Sequence, residues 1–532
     1  MYDSFLPLIL LYPEIHYRFR YFPFSRYFLK EPEILLDIPY KSRTSSFPVF
    51  LIVKDADIYP VTVWSVKFHF VLEDGSAVIK TYIINEKISS KLFSRTFDIE
   101  LEDKRGFVTV SALFQVYIKG KMKEIINSNL RGINSELEIY LGDNEELFDN
   151  YLQGDLHYHS EFTSDQVEFG APVDITVKCA EVLGLDFFAL TDHSYDLDDE
   201  ENNYLVNDPE LKKFERMKRS CVEHTNDKVT VIQGEEVTVR NSKDRNVHLL
   251  VYDREFFSGK GDSAEKWLET RSENTIFEVS HPAGPEALVA AAHPFNKTPL
   301  LEHLLVRRGK WSPEDVTTNG ITHLQILNGD YDDNFFLNLS AWTELLLKGE
   351  KIFITAGNDA HGNFNLFRQI GFPMFALTTK NKQIFGKSRT VAYSLSKKKE
   401  DILEAVKKGH CYITNGPHFI ISIRNNSKIY SLGDSFKAEP GDLEAEFFVN
   451  SSAYSGSIKG IIIYRGSIHS YEEKIIWKKE FVDSLYHFNE RIDLKNDNID
   501  HYIRLEIYTS STHGNGKTLE HRAYSNPIWI TK

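Results

Sequence analysis

The sequence predicts an α/β fold for the middle of the chain, flanked on both sides by β-sandwich domains. In the middle, apolar runs of four to eight residues alternate with segments whose apolar residues have helical spacing. The segments on either side are rich in short aromatic and β-branched runs separated by turn residues, which is typical of antiparallel strands. We therefore predict three domains, over residues 1–150, 151–417 and 418–532.

The N-terminal domain shows a series of short strand-like runs. Residues 47–53 precede a second run at 61–70, and the hairpin signal at 73–75 leads into a third run at 77–84. Short strands joined by turns predict an antiparallel sandwich. This region contains no cluster of potential metal ligands, so we expect it to serve packing or recognition.

The middle domain alternates between helix-like and strand-like segments. Residues 172–184 have a proline near the start, apolar residues at helical spacing and Gly184 as a stop signal. The apolar run 185–190 follows at once, and a second helix over 336–348 precedes the run 351–356. This alternation predicts a parallel barrel or sheet, because parallel strands need crossover connections that are usually helical.

The C-terminal domain returns to strand-like runs. They stand at 419–423, 460–464, 502–508 and 523–530. We predict a second β-sandwich from them.

Nine potential metal ligands follow one another in the middle domain, mostly where a predicted strand ends. In chain order they are His157, His159, Asp165, His193, Glu236, His248, His293, Asp359 and His361. A single His-x-His motif means little in a chain with 19 histidines, but the ordered series is far less common. Active sites of α/β folds form at the carboxyl ends of the strands, so we expect these side chains to converge. Imidazole and carboxylate ligands without thiolates are typical of Zn, Mn or Fe in hydrolytic sites.

The order of the motifs resembles the polymerase and histidinol phosphatase (PHP) superfamily of metallohydrolases, across about residues 150–415. The motifs are His-x-His at 157–159, Thr-Asp-His at 191–193, Gly-x-Glu at 234–236, a single His at 248, Ala-His-Pro at 292–294 and Asp-x-His at 359–361. The stretches at 154–157, 234–238, 357–362 and 412–417 are similar to the carbaryl-hydrolase-like (CehA/McbA) branch. The resemblance implies a distorted (β/α)7 PHP barrel for the middle domain.

The resemblance also implies a role for each ligand in a centre of two to three divalent metals (Zn, Mn or Fe). One metal would be held by His157, His159, Glu236 and Asp359. A second would be held by Glu236, His248 and His293, with Glu236 bridging, and a third by Asp165, His193 and His361. Glu235 stands one step away and would point elsewhere along a strand. The alternative for Asp165 is a loop or helix-capping residue.

Such a centre favours hydrolysis by a metal-bridging hydroxide, so no protein nucleophile is predicted. A phosphate substrate would also need a guanidinium clamp, for which Arg368 is the candidate, followed by Arg307 and Arg308. We predict a phosphoesterase acting on a small or medium-sized phosphate ester. The first alternative is a carboxylic or carbamate ester hydrolase. An alternative of another class is a non-catalytic binding module with a relic barrel.

Composition narrows the partners and the compartment. A net charge of −15 disfavours binding that depends on neutralising nucleic-acid phosphates, and with it a polymerase-associated exonuclease. Three scattered cysteines predict no disulfide framework. The apolar run at 5–12 is short, contains a proline and follows Asp3, so we interpret it as a peripheral strand and not as a signal peptide or membrane span. We predict a cytoplasmic protein with a small-molecule substrate and no membrane partner, and make no prediction of its oligomeric state.

Overall fold

Strands dominate the protein. The computed structural model describes residues 29–129, 136–163, 170–201, 203–257, 261, 270–284, 287–366, 383–441, 443–468, 470, 472–495, 499–513 and 516–532. Of these residues, 48% are in strands and 16% in helices. The strand predicted at 5–12 lies outside the described residues.

The strands and helices are numbered here in chain order. The first strands are β1 (Glu33–Asp37), β2 (Lys41–Ser42), β3 (Ser46–Lys54), β4 (Val61–Leu72), β5 (Ala77–Ile88), β6 (Leu92–Glu100), β7 (Gly106–Ile118), β8 (Lys121–Ile126) and β9 (Leu137–Leu141). The central strands are β10 (Tyr151–His159), β11 (Phe187–Leu190), β12 (Asp199–Glu200), β13 (Asn203–Asn207), β14 (Thr230–Arg240), β15 (Asn246–Tyr252), β16 (Asn274–Thr275), β17 (Leu288–Ala292), β18 (His323–Asn328), β19 (Phe353–Gly357), β20 (Ala360–His361), β21 (Arg389–Tyr393) and β22 (Cys411–Thr414). The last strands are β23 (His418–Asn425), β24 (Lys428–Ser431), β25 (Ser435–Lys437), β26 (Leu443–Asn450), β27 (Ser457–Ser467), β28 (Glu472–Glu480), β29 (His487–Asp493), β30 (His501–Thr512), β31 (Thr518–Ser525) and β32 (Ile528–Thr531).

Eight helices occur within the described part of the chain, all between the two strand-rich ends. They are α1 (Val173–Leu183), α2 (Ser194–Leu197), α3 (Lys212–His224), α4 (Ile276–Ala283), α5 (Leu300–Leu305), α6 (Pro313–Thr318), α7 (Asp333–Leu347) and α8 (Lys399–Lys407). A search of the same residues for a helix long and apolar enough to cross a bilayer finds none.

Two sheets form the N-terminal region and share one core. Strands β1, β3 and β6 form a three-stranded sheet, and β2, β9, β7, β4 and β5 form a second one, with β8 added to β7. Buried residues from both sheets, such as Val49 of β3 and Phe68 of β4, belong to the same hydrophobic cluster. Successive side chains of a strand point to opposite faces. In β4, most of the residues on the inward face are apolar.

The central strands form a mixed arrangement that positions the site. Strands β10, β11 and β14 pair in parallel, as do β17, β18 and β19. Between these two groups, β15 runs antiparallel to both β14 and β17. The short β20 pairs in parallel with β10, which brings His361 beside His159.

The predicted fold class, α/β with a distorted (β/α)7 barrel, is wrong. The fold is predominantly β, and the central strands belong to a 17-stranded sheet that continues through β21 and β22 into the C-terminal strands. Strand β15 shows why the pattern misleads. All of its residues are buried, as in a parallel strand, yet it forms an antiparallel hairpin with β14. A continuous apolar run indicates burial on both faces and carries no information on strand direction.

Sheet pairing also crosses the predicted boundary at residue 417. Strand β22, which ends at Thr414, pairs with β31 near the C-terminus through Tyr412 and Ser525. A separate four-stranded sheet of β24, β23, β26 and β29 shares a core with the C-terminal strands of the large sheet. The domain boundaries stay predictions, but the last two regions share backbone hydrogen bonds.

A buried network of charged side chains connects the three regions. Lys41 Nζ lies 2.9 Å from Asp143 Oδ2 and 3.0 Å from Glu145 Oε2. Arg389 approaches the two carboxylate oxygens of Glu145 at 2.7 and 3.0 Å, and His418 Nε2 lies 3.3 Å from Glu145 Oε1. All five side chains are buried. Burial favours protonation of Glu145, but the charges of Arg389 and Lys41 outweigh it and hold the pKa of that carboxyl well below its usual range.

We expect Glu145→Gln to lower the free energy of unfolding by about 3–5 kcal/mol, because Arg389 would lose the carboxylate that neutralises it in the interior and Lys41 would keep only Asp143. Urea denaturation at neutral pH measures this loss. Because the folded-state pKa of Glu145 lies below the unfolded-state value, its stabilisation is present above that value and is lost as pH falls. The difference between wild type and variant should therefore shrink below about pH 4.5.

The matched control is Glu446→Gln, which removes a carboxylate from the exposed pair with Arg491. This change should alter stability by less than about 1 kcal/mol. Equal effects of the two substitutions would contradict the importance assigned to the buried network.

Candidate metal centre

The site begins with two histidines on β10. His157 and His159 are two residues apart, so their side chains leave the same face of the strand, and both are fully buried. Their Nε2 atoms are 3.1 Å apart. The neighbouring backbone comes very close here, since a Cβ at Gly357 would lie 2.4 Å from the His157 Cβ. Only glycine allows β19 to approach β10 in this way.

The hairpin of β14 and β15 contributes the next two side chains. Thr238 stands opposite His248 and Glu236 stands opposite Leu250, so Glu236 and His248 are diagonal neighbours on one face. The His248 Nδ1 lies 2.6 Å from Glu236 Oε1. The hairpin therefore places a carboxylate and an imidazole side by side.

Two further histidines surround His159. His193 follows β11, forms a β-bridge with Glu236, and brings its Nδ1 to 2.9 Å from Glu236 Oε2. His361 of β20 stacks on His159 with ring centroids 4.0 Å apart and an interplanar angle of 7°. The parallel pairing of β10 with β20 explains this stacking.

The last two residues stand on sharp turns after strands. His293 follows β17 with φ of 32°, and Asp359 follows β19 with φ of 51°. Residues other than glycine rarely adopt this left-handed backbone conformation. Strained backbone of this kind clusters at functional sites. The turns aim His293 Nε2 to 3.5 Å from Glu236 Oε1 and Asp359 Oδ1 to 3.2 Å from His159 Nε2.

Eight of the nine predicted ligands thus meet in one place, in three overlapping groups whose ligand atoms lie within 4.8 Å of one another. The first group is His157, His159, Glu236 and Asp359, the second is Glu236, His248 and His293, and the third is His159, His193 and His361. The first two groups contain the same residues as the two predicted ligand sets. In the third, His159 joins His193 and His361, while Asp165 lies outside the described residues.

The spacing of the ligand atoms fits a metal ion. In a tetrahedral site with bonds of about 2.1 Å, neighbouring ligand atoms are about 3.4 Å apart. From His157 Nε2 the distances are 3.4 Å to Glu236 Oε1 and 3.6 Å to Asp359 Oδ1. From His159 Nε2 they are 3.5 Å to Glu236 Oε2 and 3.2 Å to Asp359 Oδ1. The donor set, all nitrogen and oxygen, suits Zn, Mn or Fe.

The ionisation of the two carboxylates and of His159 also suits cation binding. Burial opposes charge on Glu236, but His248 and His157 outweigh it and hold the pKa of that carboxyl well below its usual range. The pKa of Asp359 is lowered in the same way by His157 and His159, against the effect of burial. Burial and the neighbouring imidazoles of His361 and His193 hold the pKa of His159 well below its usual range. Against the effect of burial, Glu236 and Asp359 raise the pKa of His157 to about 9. Metal binding at His157 would therefore displace a proton, since anionic carboxylates and neutral imidazole are the forms that ligate metals.

Polar side chains behind the centre orient the ligands. Gln325 Oε1 lies 2.8 Å from His157 Nδ1 and Thr163 Oγ1 lies 3.3 Å from His159 Nδ1, so the Nε2 atoms face inward. Gln383 donates to Asp359 Oδ2 at 2.8 Å, and Asn328 donates to the same oxygen at 3.2 Å. These four residues were not predicted from the sequence. Gln325 left a signal, since it is a polar residue inside the buried strand β18.

Three acidic residues next to the ligands have structural partners. Asp192 accepts hydrogen bonds from Ser160 and Thr163. Asp155 accepts from Asn358 and from backbone amides, and burial raises its pKa to about 6. Glu235 accepts from the backbone amide of Phe257, and burial raises its pKa well above the usual range. Their side chains are bonded to backbone and neighbouring polar groups, while Glu236 faces the imidazoles.

The structure separates the three arginines proposed for substrate binding. Arg368 lies outside the described residues. Arg307 pairs with Asp244 at 2.7 Å. Arg308 brings its Nη1 to 3.3 Å from His248 Nδ1 and is therefore the one that adjoins the centre.

Comparisons with known proteins add little to this geometry. No family model and no curated protein matches the chain. Similar solved structures include β-glucuronidases from Parabacteroides merdae (11% identity, TM-score 0.19) and Bacteroides uniformis (10%, 0.18), and a β-D-mannosidase from Dictyoglomus thermophilum (8%, 0.22). Each match covers 93–94% of this chain, which spans 61–66% of the matched chain's length. These TM-scores are too low to transfer a fold or a function.

We expect Glu236→Gln to remove most bound metal, because Glu236 belongs to two of the three ligand groups. Elemental analysis of purified protein measures the metal per chain. Glu235→Gln is the matched control, since glutamine keeps an oxygen that can accept from the Phe257 amide and the residue faces away from the imidazoles. Metal loss in Glu235→Gln with retention in Glu236→Gln would show that the ligand register is wrong by one residue.

We expect Gln325→Leu to weaken metal binding by about 10–100-fold while leaving every ligand in place, because His157 would lose the partner that fixes its ring. Titration of metal-free protein with Zn²⁺ against a competing chelator gives the affinity. An unchanged affinity would show that strand packing alone orients His157.

Proposed function

We propose that this protein is a metal-dependent hydrolase of the PHP superfamily, with a centre of two to three divalent ions. The sharing of ligands between adjacent groups carries the proposal. Glu236 belongs to the first and second groups and His159 to the first and third, so the groups are close enough to form one multinuclear centre. None of the eight described positions carries an apolar residue, which disfavours the relic barrel that only binds.

The residues of the centre have two roles, to hold metal ions and to position the ligands. Metal ions held there would acidify water and stabilise negative charge that develops during hydrolysis. Glu236 and Asp359 supply anionic oxygens, and Gln383 and Asn328 hold Asp359 in place. Most of the imidazoles are buried, and electrostatic interactions are stronger in a buried site than at the surface.

Phosphate esters are the substrates we favour. The guanidinium of Arg308 beside His248 is the observation that supports this choice, since planar guanidinium groups recognise phosphate oxygens. Carboxylic or carbamate esters stay the second candidate, because several sequence stretches resemble the carbaryl-hydrolase-like branch. The two candidates require the same metal ligands and differ in the need for an anion clamp.

Metal removal provides the first test. Extensive dialysis against a chelator should abolish hydrolysis, and adding back Zn²⁺ or Mn²⁺ should restore it, because the ions supply the acidified water. His157→Ala and Asp359→Ala should each lower kcat/KM by at least about 100-fold in the reloaded protein. Full activity of chelator-treated protein that is shown to be metal-free would refute the proposal.

A substrate panel provides the second test. We expect turnover of p-nitrophenyl phosphate or bis(p-nitrophenyl) phosphate to exceed turnover of naphthyl acetate and naphthyl methylcarbamate in the metal-loaded protein. The reason is the positive charge that Arg308 adds beside the centre. Hydrolysis of the neutral esters alone would establish the second candidate and exclude the first.

A further inference from the structure

We propose that Arg308 is the residue that selects anionic substrates at the metal centre, and that it recognises the phosphate group of a phosphate ester. This inference deepens the proposed hydrolytic function and rests on it. Three observations support it: the backbone pairing that fixes Arg308, the surface position of the adjacent Arg307, and the surroundings of the guanidinium.

Backbone pairing places Arg308 on the metal-facing side of β15. The Asn246 amide donates to Arg307 O at 3.1 Å and the Gly309 amide donates to Asn246 O at 2.8 Å, which makes a parallel bridge between Asn246 and Arg308. Paired residues of a bridge project to the same side, and so do residues two apart on a strand. Arg308 therefore projects with Asn246 and His248. Its backbone is held further by its amide, which donates to Glu302 O at 3.2 Å.

The preceding arginine, Arg307, lies at the surface and pairs with Asp244. Arg307 has φ of 61°, so the chain turns sharply between the two arginines. Arg307 Nη2 lies 2.7 Å from Asp244 Oδ2 in a pair that is more than a third exposed on both sides. The sequence Arg307-Arg308 thus supplies one surface arginine and one arginine at the centre.

The guanidinium of Arg308 lies at the edge of the centre, and its side chain is partly exposed. Its Nη1 lies 3.3 Å from His248 Nδ1, and its Nε lies 3.7 Å from Glu302 Oε2. The side chain is 24% exposed, whereas His248 is 3% exposed, so Arg308 lies between His248 and the surface of the protein. Divalent ions held by Glu236 and Asp359 would attract an anionic substrate, and the guanidinium adds a fixed positive charge beside them.

Equilibrium binding of inorganic phosphate tests the inference without relying on turnover. Isothermal titration calorimetry of the metal-loaded full chain should show phosphate binding, and Arg308→Ala should weaken it by about 10–100-fold, because two charge-assisted hydrogen bonds are lost. Arg308→Lys should recover only part of the affinity, since an ammonium cannot form a bidentate pair. Arg307→Ala is the matched control and should leave phosphate binding and activity within about twofold of wild type.

The outcomes separate this inference from the proposed function. Phosphate affinity within threefold of wild type in Arg308→Ala, an equal loss in Arg307→Ala, or no phosphate binding by the metal-loaded wild type would each overturn the inference. Loss of metal from Arg308→Ala would also overturn it, in favour of a role in supporting His248. Phosphate binding that depends on Arg308, in a protein that hydrolyses no phosphate ester, would uphold anion recognition and refute the proposed phosphoesterase.

Discussion

The carboxylate of Glu236 is the point on which the whole site depends. Five imidazoles, from His157, His159, His193, His248 and His293, bring a nitrogen to within 3.5 Å of its oxygens. They come from four different strands or the turns after them. A buried negative charge needs compensation, and four of these five imidazoles are themselves buried, while His293 is partly buried. The Glu236 carboxylate thus fixes the relative positions of these five imidazoles.

The surrounding architecture holds these strands with little freedom. Gly357 lets β19 lie against His157, and the left-handed turns at His293 and Asp359 aim their side chains inward. Gln325, Thr163, Asn328 and Gln383 then fix ring orientation and carboxylate position. Partners of this kind typically change metal affinity by about 10–100-fold. The strained backbone at His293 and Asp359 costs stability, and such strain clusters at functional sites.

A second buried polar cluster serves a different purpose. Glu145 joins Lys41 from the N-terminal region, Arg389 from the centre and His418 from the C-terminal region. A buried ion network adds little net stability over a hydrophobic core, but it strongly disfavours any arrangement that leaves one of its charges unpaired. It therefore specifies how the three regions meet. The continuation of the large sheet through β22 into β31 adds backbone hydrogen bonds across the same junction.

The sequence by itself determined which side chains could form the site and roughly where along the chain they lie. Residue type and local spacing were enough to name the nine candidate ligands. The groups around Glu236, and the choice of Glu236 over Glu235, were predicted from the resemblance to the PHP superfamily. Orienting residues such as Gln325, and the choice of Arg308 over Arg307, could not be predicted, because they depend on strands that are far apart in sequence. Strand direction was decided only by the tertiary structure. Burial on both faces produces the same apolar run in the antiparallel β15 as in a parallel strand, and the α/β prediction failed for that reason.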